Sequence, residues 1–198
     1  FYDTHLFNGW FSLYGTPHTK TEIKDNKFYQ NIIIYGNNTQ NGRMFSDLSG
    51  LATLSGYRSS PLIKFDTIYG NGNYKIFAVV NNQGEIPSQL LKSEFFDDED
   101  FGLYISNILS ESSIITSVDL NKNDEIITLV SRGYKKCTLV YARRVRSGES
   151  TLVDTQNAKE NVGAATNNSS STPSVNTFDP FSLTSIETVL FSQYTNTF

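Results

Sequence analysis

Short runs of β-branched and aromatic residues, each closed off by Asn, Gly or Pro, recur along this chain and constrain its fold more than any other feature. QNIIIYGNN (30–38), SPLIKFDTIYG (60–70) and NYKIFAVV (73–80) are of this kind, and SIITSVDL (113–120), EIITLVS (125–131) and CTLVYARRV (137–145) follow later. Their length, residue types and flanking turn chemistry predict strands, with RGYKK (132–136) turning the last two into a hairpin. One stretch breaks the pattern. In FFDDEDFGLYISNIL (95–109), Phe101, Ile105, Ile108 and Leu109 recur at helical spacing behind an acidic start, which predicts an amphipathic helix between late strands. MFSDLSGL (44–51) is too short and too rich in Ser and Gly for more than one or two helical turns. The expected class is therefore mainly β with one clear helix.

With 198 residues and 38% hydrophobic content, one domain with a real core is expected, carrying an appendage. The domain is read as 1–155. From there the composition turns small and polar, and NAKENVGAATNNSSSTPSVN predicts a low-complexity linker over 156–181. Ile186, Val189, Leu190, Phe191 and Tyr194 then return apolar character to 182–198, a segment expected to dock on the domain.

A formal net charge of −4 gives no basic field for a phosphate backbone, so nucleic acid is not the expected partner. A single cysteine excludes an internal disulfide, and two histidines supply no zinc ligand set. The acidic run 97–100 lacks the alternating ligands and Gly turn of a calcium loop and reads as a helix start. No metal or other cofactor is expected. No apolar run reaches the length of a membrane span. Because the chain begins with Phe1, an export or anchoring segment is expected upstream. Nothing in the sequence sets an oligomeric state.

The lone cysteine, Cys137, sits in EIITLVSRGYKKCTLVYARRV (125–145), and whether it is a nucleophile decides most of the functional reading. Ordered segments along residues 1–155 resemble the class B sortases, cysteine transpeptidases of Gram-positive cell surfaces. FYDTHLFNG is similar to the segment entering their barrel, IIIYGNNTQNGRMFSDL to the strand and turn of their catalytic histidine, and FDTIYGNGNYKIFAVV to their central hairpin. The helix near 97–109 falls where class B members insert one, and VDLNKNDEIITLVSRG with LVYARRVRSGESTLVDT resembles their last two strands. The resemblance implies a sortase-like closed β-barrel. It also implies an extended peptide or sorting signal as partner, and a place on the outer face of a Gram-positive membrane or cell wall.

Sortase chemistry uses a cysteine thiolate that attacks the peptide bond, an imidazole acid and base, and an arginine that steadies the oxyanion or the substrate. All three positions differ here. The residue after Tyr35-Gly36, where the family has histidine, is Asn37, an amide that cannot exchange a proton near neutral pH. TLVSR (128–132) overlies the family's Thr-Leu-x-Thr-Cys, which puts Arg132 in the nucleophile's place, and LVYARRV puts Cys137 in the arginine's place. The resemblance further places Val130, Ser131 and Ile105 along the substrate groove. Ser131 has no base beside it in sequence and reads as a hydroxyl that satisfies a backbone group. His5 has no role implied by the resemblance, and His18 reads as a loop residue. Arg143 and Arg144 alternate on their strand, so at most one faces the cleft, and both read as solvated or salt-bridged.

Three functions are thereby expected to compete. A degenerate sortase homologue would bind an extended peptide without cleaving it. A rearranged cysteine transpeptidase or protease would work through Cys137. A structural component of a surface or pilus assembly would use neither. The first makes two geometric demands: Asn37, Arg132 and Cys137 on one face, and a cleft left open by the short SRGYKK hairpin.

Overall fold

A computed structural model of the chain describes residues 1–166 except 21, 22, 25, 26, 40, 41, 69, 134 and 135. Ten strands and three α-helices follow one another over the described residues. The first strands are β1 (His18–Thr19), β2 (Ile23–Lys24), β3 (Lys27–Phe28) and β4 (Asn31–Asn37). A 3-10 turn (Ser46–Ala52) and α1 (Leu54–Ser59) lead to the hairpin of β5 (Leu62–Thr67) and β6 (Gly70–Gln83). Next come α2 (Asp98–Glu111), β7 (Ile114–Ile115), β8 (Ile126–Arg132), β9 (Lys136–Arg144), β10 (Lys159–Glu160) and α3 (Val162–Thr166).

Six of the strands form one sheet in the order β1-β4-β8-β9-β6-β5. Every pairing in it is antiparallel except β4 with β8, which run parallel from Asn31↔Ile126 to Asn37↔Arg132. The sheet curls into a half-barrel. Its edges, β1 and β5, do not pair with each other among the described residues, so the expected closure is not formed there. In β6 the register with β9 shifts between Ile76 and Ala78, leaving Phe77 as the extra residue of a β-bulge that bends this long strand.

Both faces of the sheet are buried, which is why β8 and β9 read as continuous apolar runs rather than alternating ones. On one face Phe77, Val80, Val130, Leu139 and Tyr141 meet Phe101, Tyr104, Ile105 and Ile108 of α2. Those four helical residues recur at the spacing that makes one stripe. At the helix start the Asp97 side chain accepts from the Asp100 N–H at 2.8 Å, and Asp98, Glu99 and Asp100 fill the first turn. On the other face Ile76, Val79, Ile127, Val140 and Ala142 pack with Tyr57 of α1, Ile114 of β7 and Ala158.

Two expected boundaries differ from the structure. SIITSVDL contributes only Ile114–Ile115 as a strand. Residues 156–166, read as the start of a linker, lie on the domain. Lys159–Glu160 pairs antiparallel with β7, and Ala158 and Ala164 are buried. The low polarity of alanine and the short ladder suffice there, although the surrounding composition is that of a tail. The remainder of the proposed linker and the segment 182–198 lie outside the described residues.

Candidate functional site

The parallel pairing of β4 with β8, and the hairpin pairing of β8 with β9, set one row of residues across the sheet. Asn37 is opposite Arg132, Arg132 is opposite Cys137, and Cys137 is opposite Asn82 of β6. Directly opposed residues send their side chains to the same face. That face is the one of Tyr35, Val130 and Leu139, and Cys137 joins their cluster. The structure thus brings Asn37, Arg132 and Cys137 together.

The neighbouring row faces the other way. Ser131 is opposite Thr138 and Gly36, and its hydroxyl donates to the Phe45 carbonyl at 2.8 Å. A Cβ on Gly36 would lie 2.7 Å from the Phe45 ring, so only glycine lets that ring approach the strand. Ser131 is therefore not on the groove, contrary to the expectation, because the period of the strand turns it away from Arg132. Val130 and Ile105 face the expected side but are closed in the core, Val130 at 0% and Ile105 at 3% exposure.

Cys137 is 5% exposed, and its Sγ lies 3.7 Å from the Asn82 carbonyl, to which the thiol donates. Burial pushes its pKa up from the ordinary 9.0, against the smaller lowering effects of Asn82 and of the Arg132 guanidinium. The group is a thiol at neutral pH. We expect iodoacetamide to modify native Cys137 at pH 8 more slowly than a free cysteine, since a raised pKa leaves less thiolate and burial restricts access as well. The rate should still be rising with pH at 9.0, the ordinary value, instead of levelling off there. Rapid modification at pH 6, followed by mass spectrometry, would contradict this.

Arg132 sits over the Tyr35 ring with its Cζ 4.4 Å from the ring centroid, and its Nη1 is 3.6 Å from Asp3 Oδ2. Asp3 belongs to the segment 1–16, which crosses this end of the row. The Asn37 amide donates to the carbonyls of Asp3 at 2.7 Å and Tyr14 at 3.2 Å. His18 is no loop residue: β1 sets it opposite Tyr35, with the two rings stacked at 5.8 Å. Its Nδ1–H donates to the Thr16 carbonyl at 3.0 Å, which leaves Nε2 3.9 Å from Asp3 Oδ1. A strand of two residues gives no periodic signal, so neither His18 nor Asp3 could be assigned to the site from sequence. His5 is in the same segment, stacked on Phe1 at 4.2 Å. Tyr134 and Lys135 of the expected SRGYKK hairpin lie outside the described residues.

At the opposite end of β9, Arg143 is 1% exposed and all five of its N–H groups are bonded. The acceptors are the Asp119 carbonyl and carboxylate, the Arg144 carbonyl and both oxygens of Glu149. Arg146 forks onto Asp124 at 2.7 Å twice, and Lys75 reaches Glu149 at 2.6 Å. Arg144 points to the other face, where it meets Glu125 at 2.6 Å. A polar depression of about 460 Å³ opens beside Arg144 and Arg146, but the carboxylates named already neutralise its cations. No cluster of three or more His, Cys, Asp or Glu residues suited to a metal occurs among the described residues.

The curled sheet, its one parallel pair and the helix packed on it define a sortase-type fold. The Staphylococcus aureus sortase B–substrate complex superposes with a TM-score of 0.67 at 21% identity, covering 73% of this chain and 68% of that one. Clostridium perfringens sortase B gives 0.67 at 26%, covering 74% and 81%. In sequence the chain is 28% identical over 115 residues to Sortase B of Listeria monocytogenes serovar 1/2a, covering 56% of this chain and 46% of the relative. Sortase B of Staphylococcus aureus strain NCTC 8325 is 25% identical over 110 residues, covering 56% and 43%. The chain spans less than half the length of each of these two sequence relatives. No family model matches the chain. Fold and sequence together relate it to the class B sortases.

Proposed function

We propose that this chain is a sortase homologue that has lost catalysis and binds an extended peptide at the Asn37–Arg132–Cys137 row without cleaving it. The observation that carries the reading is the row itself. Three strands in register hold an amide, a guanidinium and a buried thiol at the positions that resemble the family's base, nucleophile and arginine. The amide accepts no proton from a nucleophile, and a guanidinium does not attack a carbonyl. The thiol is one strand from the Arg132 cation, which favours the competing reading of catalysis by Cys137. Burial nevertheless keeps it protonated, and the described row offers no base. Peptide binding is supported by the substrate complex of the similar Staphylococcus aureus protein. A location on a Gram-positive cell surface rests on the same relatives. No helix among the described residues is long and apolar enough to cross a membrane.

The test is incubation with labelled sorting-signal-like peptides and a glycine acceptor, followed by mass spectrometry and by fluorescence anisotropy. Saturable binding with no cleaved or transferred product is the expected result. Asn37→His alone should leave the protein inactive, because the nucleophile's place is still taken by Arg132. Cleavage that disappears in Cys137→Ala would overturn the proposal in favour of a rearranged enzyme.

A further inference from the structure

Two buried or half-buried arginines on the same face of β8 and β9 are treated very differently by the fold. Arg143 has every donor bonded, as described above. Arg132 is held over the Tyr35 ring, but its guanidinium makes no hydrogen bond among the described residues, and its ion-pair partner, Asp3 at 3.6 Å, is beyond hydrogen-bond distance. An oriented guanidinium with unused donors is the group that best fits a carboxylate, because its planar fork can meet both oxygens at once. His18 adds a second nitrogen on the same side, also turned to Asp3 at 3.9 Å.

The geometry points to Arg132 as the centre of a carboxylate-binding site for a peptide ligand, with Asp3 as an internal stand-in on a displaceable cover formed by residues 1–16. This rests on the peptide-binding reading above and adds the chemistry that the site selects. The cover is fastened to the sheet by the Asn37 amide, through the carbonyls of Asp3 and Tyr14, with Tyr2 against the His18 ring at 5.8 Å and Arg43 over the Tyr14 ring at 5.2 Å. Within itself it is folded by short backbone bonds, Ser12 to Thr4 at 2.9 Å and Thr16 to Tyr2 at 2.8 Å. Its apolar side chains contribute little burial: Phe7, Trp10, Phe11 and Leu13 are 68–84% exposed. A segment held by few buried contacts opens at low cost. Gly15 locks the fold of the cover at a φ of +63°, where a Cβ would stand 2.5 Å from the Tyr2 carbonyl oxygen and 2.6 Å from that of Asp3.

A ligand carboxylate has two sources in a peptide, the chain terminus and an Asp or Glu side chain. We would measure binding of one extended peptide in three forms: amidated with no acidic residue, free acid with no acidic residue, and amidated with one central Glu. At least one carboxylate form should bind about tenfold or more tighter than the neutral form, and which one does identifies the source. Arg132→Gln should erase that difference. Asp3→Asn, which removes the competing carboxylate, and Gly15→Ala, which loosens the cover, should each strengthen carboxylate binding several-fold, a gain that misfolding cannot imitate. Equal binding of all three forms by the wild type and Asp3→Asn would overturn the carboxylate site while leaving peptide binding intact. If neither protein binds any form, both readings fall.

Discussion

Arg143→Ala should destabilise the protein by about 3–5 kcal/mol, the usual result of removing one partner from a buried ion pair. The guanidinium is 1% exposed and joins Asp119 and Glu149, with Asp124 also close at 3.9 Å. Removing it leaves Glu149 with Lys75 alone among its side-chain cation partners and leaves Asp119 with Arg146. Urea unfolding of the two proteins measures the difference, and a loss under 1 kcal/mol would show that the network is worth no more than a surface pair. The same cluster sets an acid limit. Hydrogen bonds from Arg143, with help from Lys75 and the Arg146 backbone, hold Glu149 far below its ordinary 4.5. Burial pushes Asp119 up, but hydrogen bonds from Arg146 and Arg143 outweigh it, so this group too lies below its ordinary 3.8. Groups lowered on folding stabilise the native state fully above their unfolded values, and the effect fades as pH falls through the lowered folded values. Wild type should therefore lose stability steadily below about pH 4.5, and Arg143→Ala should show a shallower slope over the same range.

Asn31→Ala should cost about 2–4 kcal/mol for a different reason, since no charge is involved. Asn31 is fully buried at the start of β4. Its amide donates to the Lys92 carbonyl at 2.8 Å and to the Tyr104 hydroxyl at 2.9 Å, and its oxygen accepts from Thr128 at 2.8 Å. One side chain thus joins β4, β8 and α2 across a dry contact. Alanine leaves a carbonyl and the Thr128 hydroxyl short of a partner in a place that water does not reach. Thr128→Val removes only one of these bonds and should cost less, and the double variant should fall short of the sum of the singles because the pair shares an interaction. Additive losses in the denaturation midpoints would mean that the two residues act separately.

The parts of this molecule that could be read from sequence are those whose signal is local. β4, β6, β8, β9 and α2 announce themselves through residue type and period, and the register of β4 against β8 follows once Tyr35-Gly36 and Thr128-Leu129 are placed. That is enough to put Asn37, Arg132 and Cys137 in one row. Ser131 turns away from the row of Asn37, Arg132 and Cys137, because neighbouring residues on a strand face opposite ways. Val130 and Ile105 were on the right side but under the surface, and depth is a property of what packs above a residue. His18 and Asp3 had no signal at all: their positions depend on a two-residue edge strand and on a segment folded by backbone turns. Arg143 gave a hint in its alternation with Arg144, but its partners come from 119, 124 and 149, and only the completed fold brings these together.

The parallel pairing of β4 with β8 has a consequence in time. Thr128 and Asn31, which close that pairing, are 97 residues apart along the chain. At a synthesis rate of roughly 5–20 residues per second, β4 waits on the order of ten seconds for its partner to leave the ribosome. β6 also waits for β9, so the hairpin of β5 and β6 is the one large strand pairing available early. During that interval the apolar side chains of β4 and the edge of the hairpin are open to other chains, and assembly must await a long-range closure that is intrinsically slow. The row of Asn37, Arg132 and Cys137 is made in the same step, so a nascent chain lacks it until β9 has been translated.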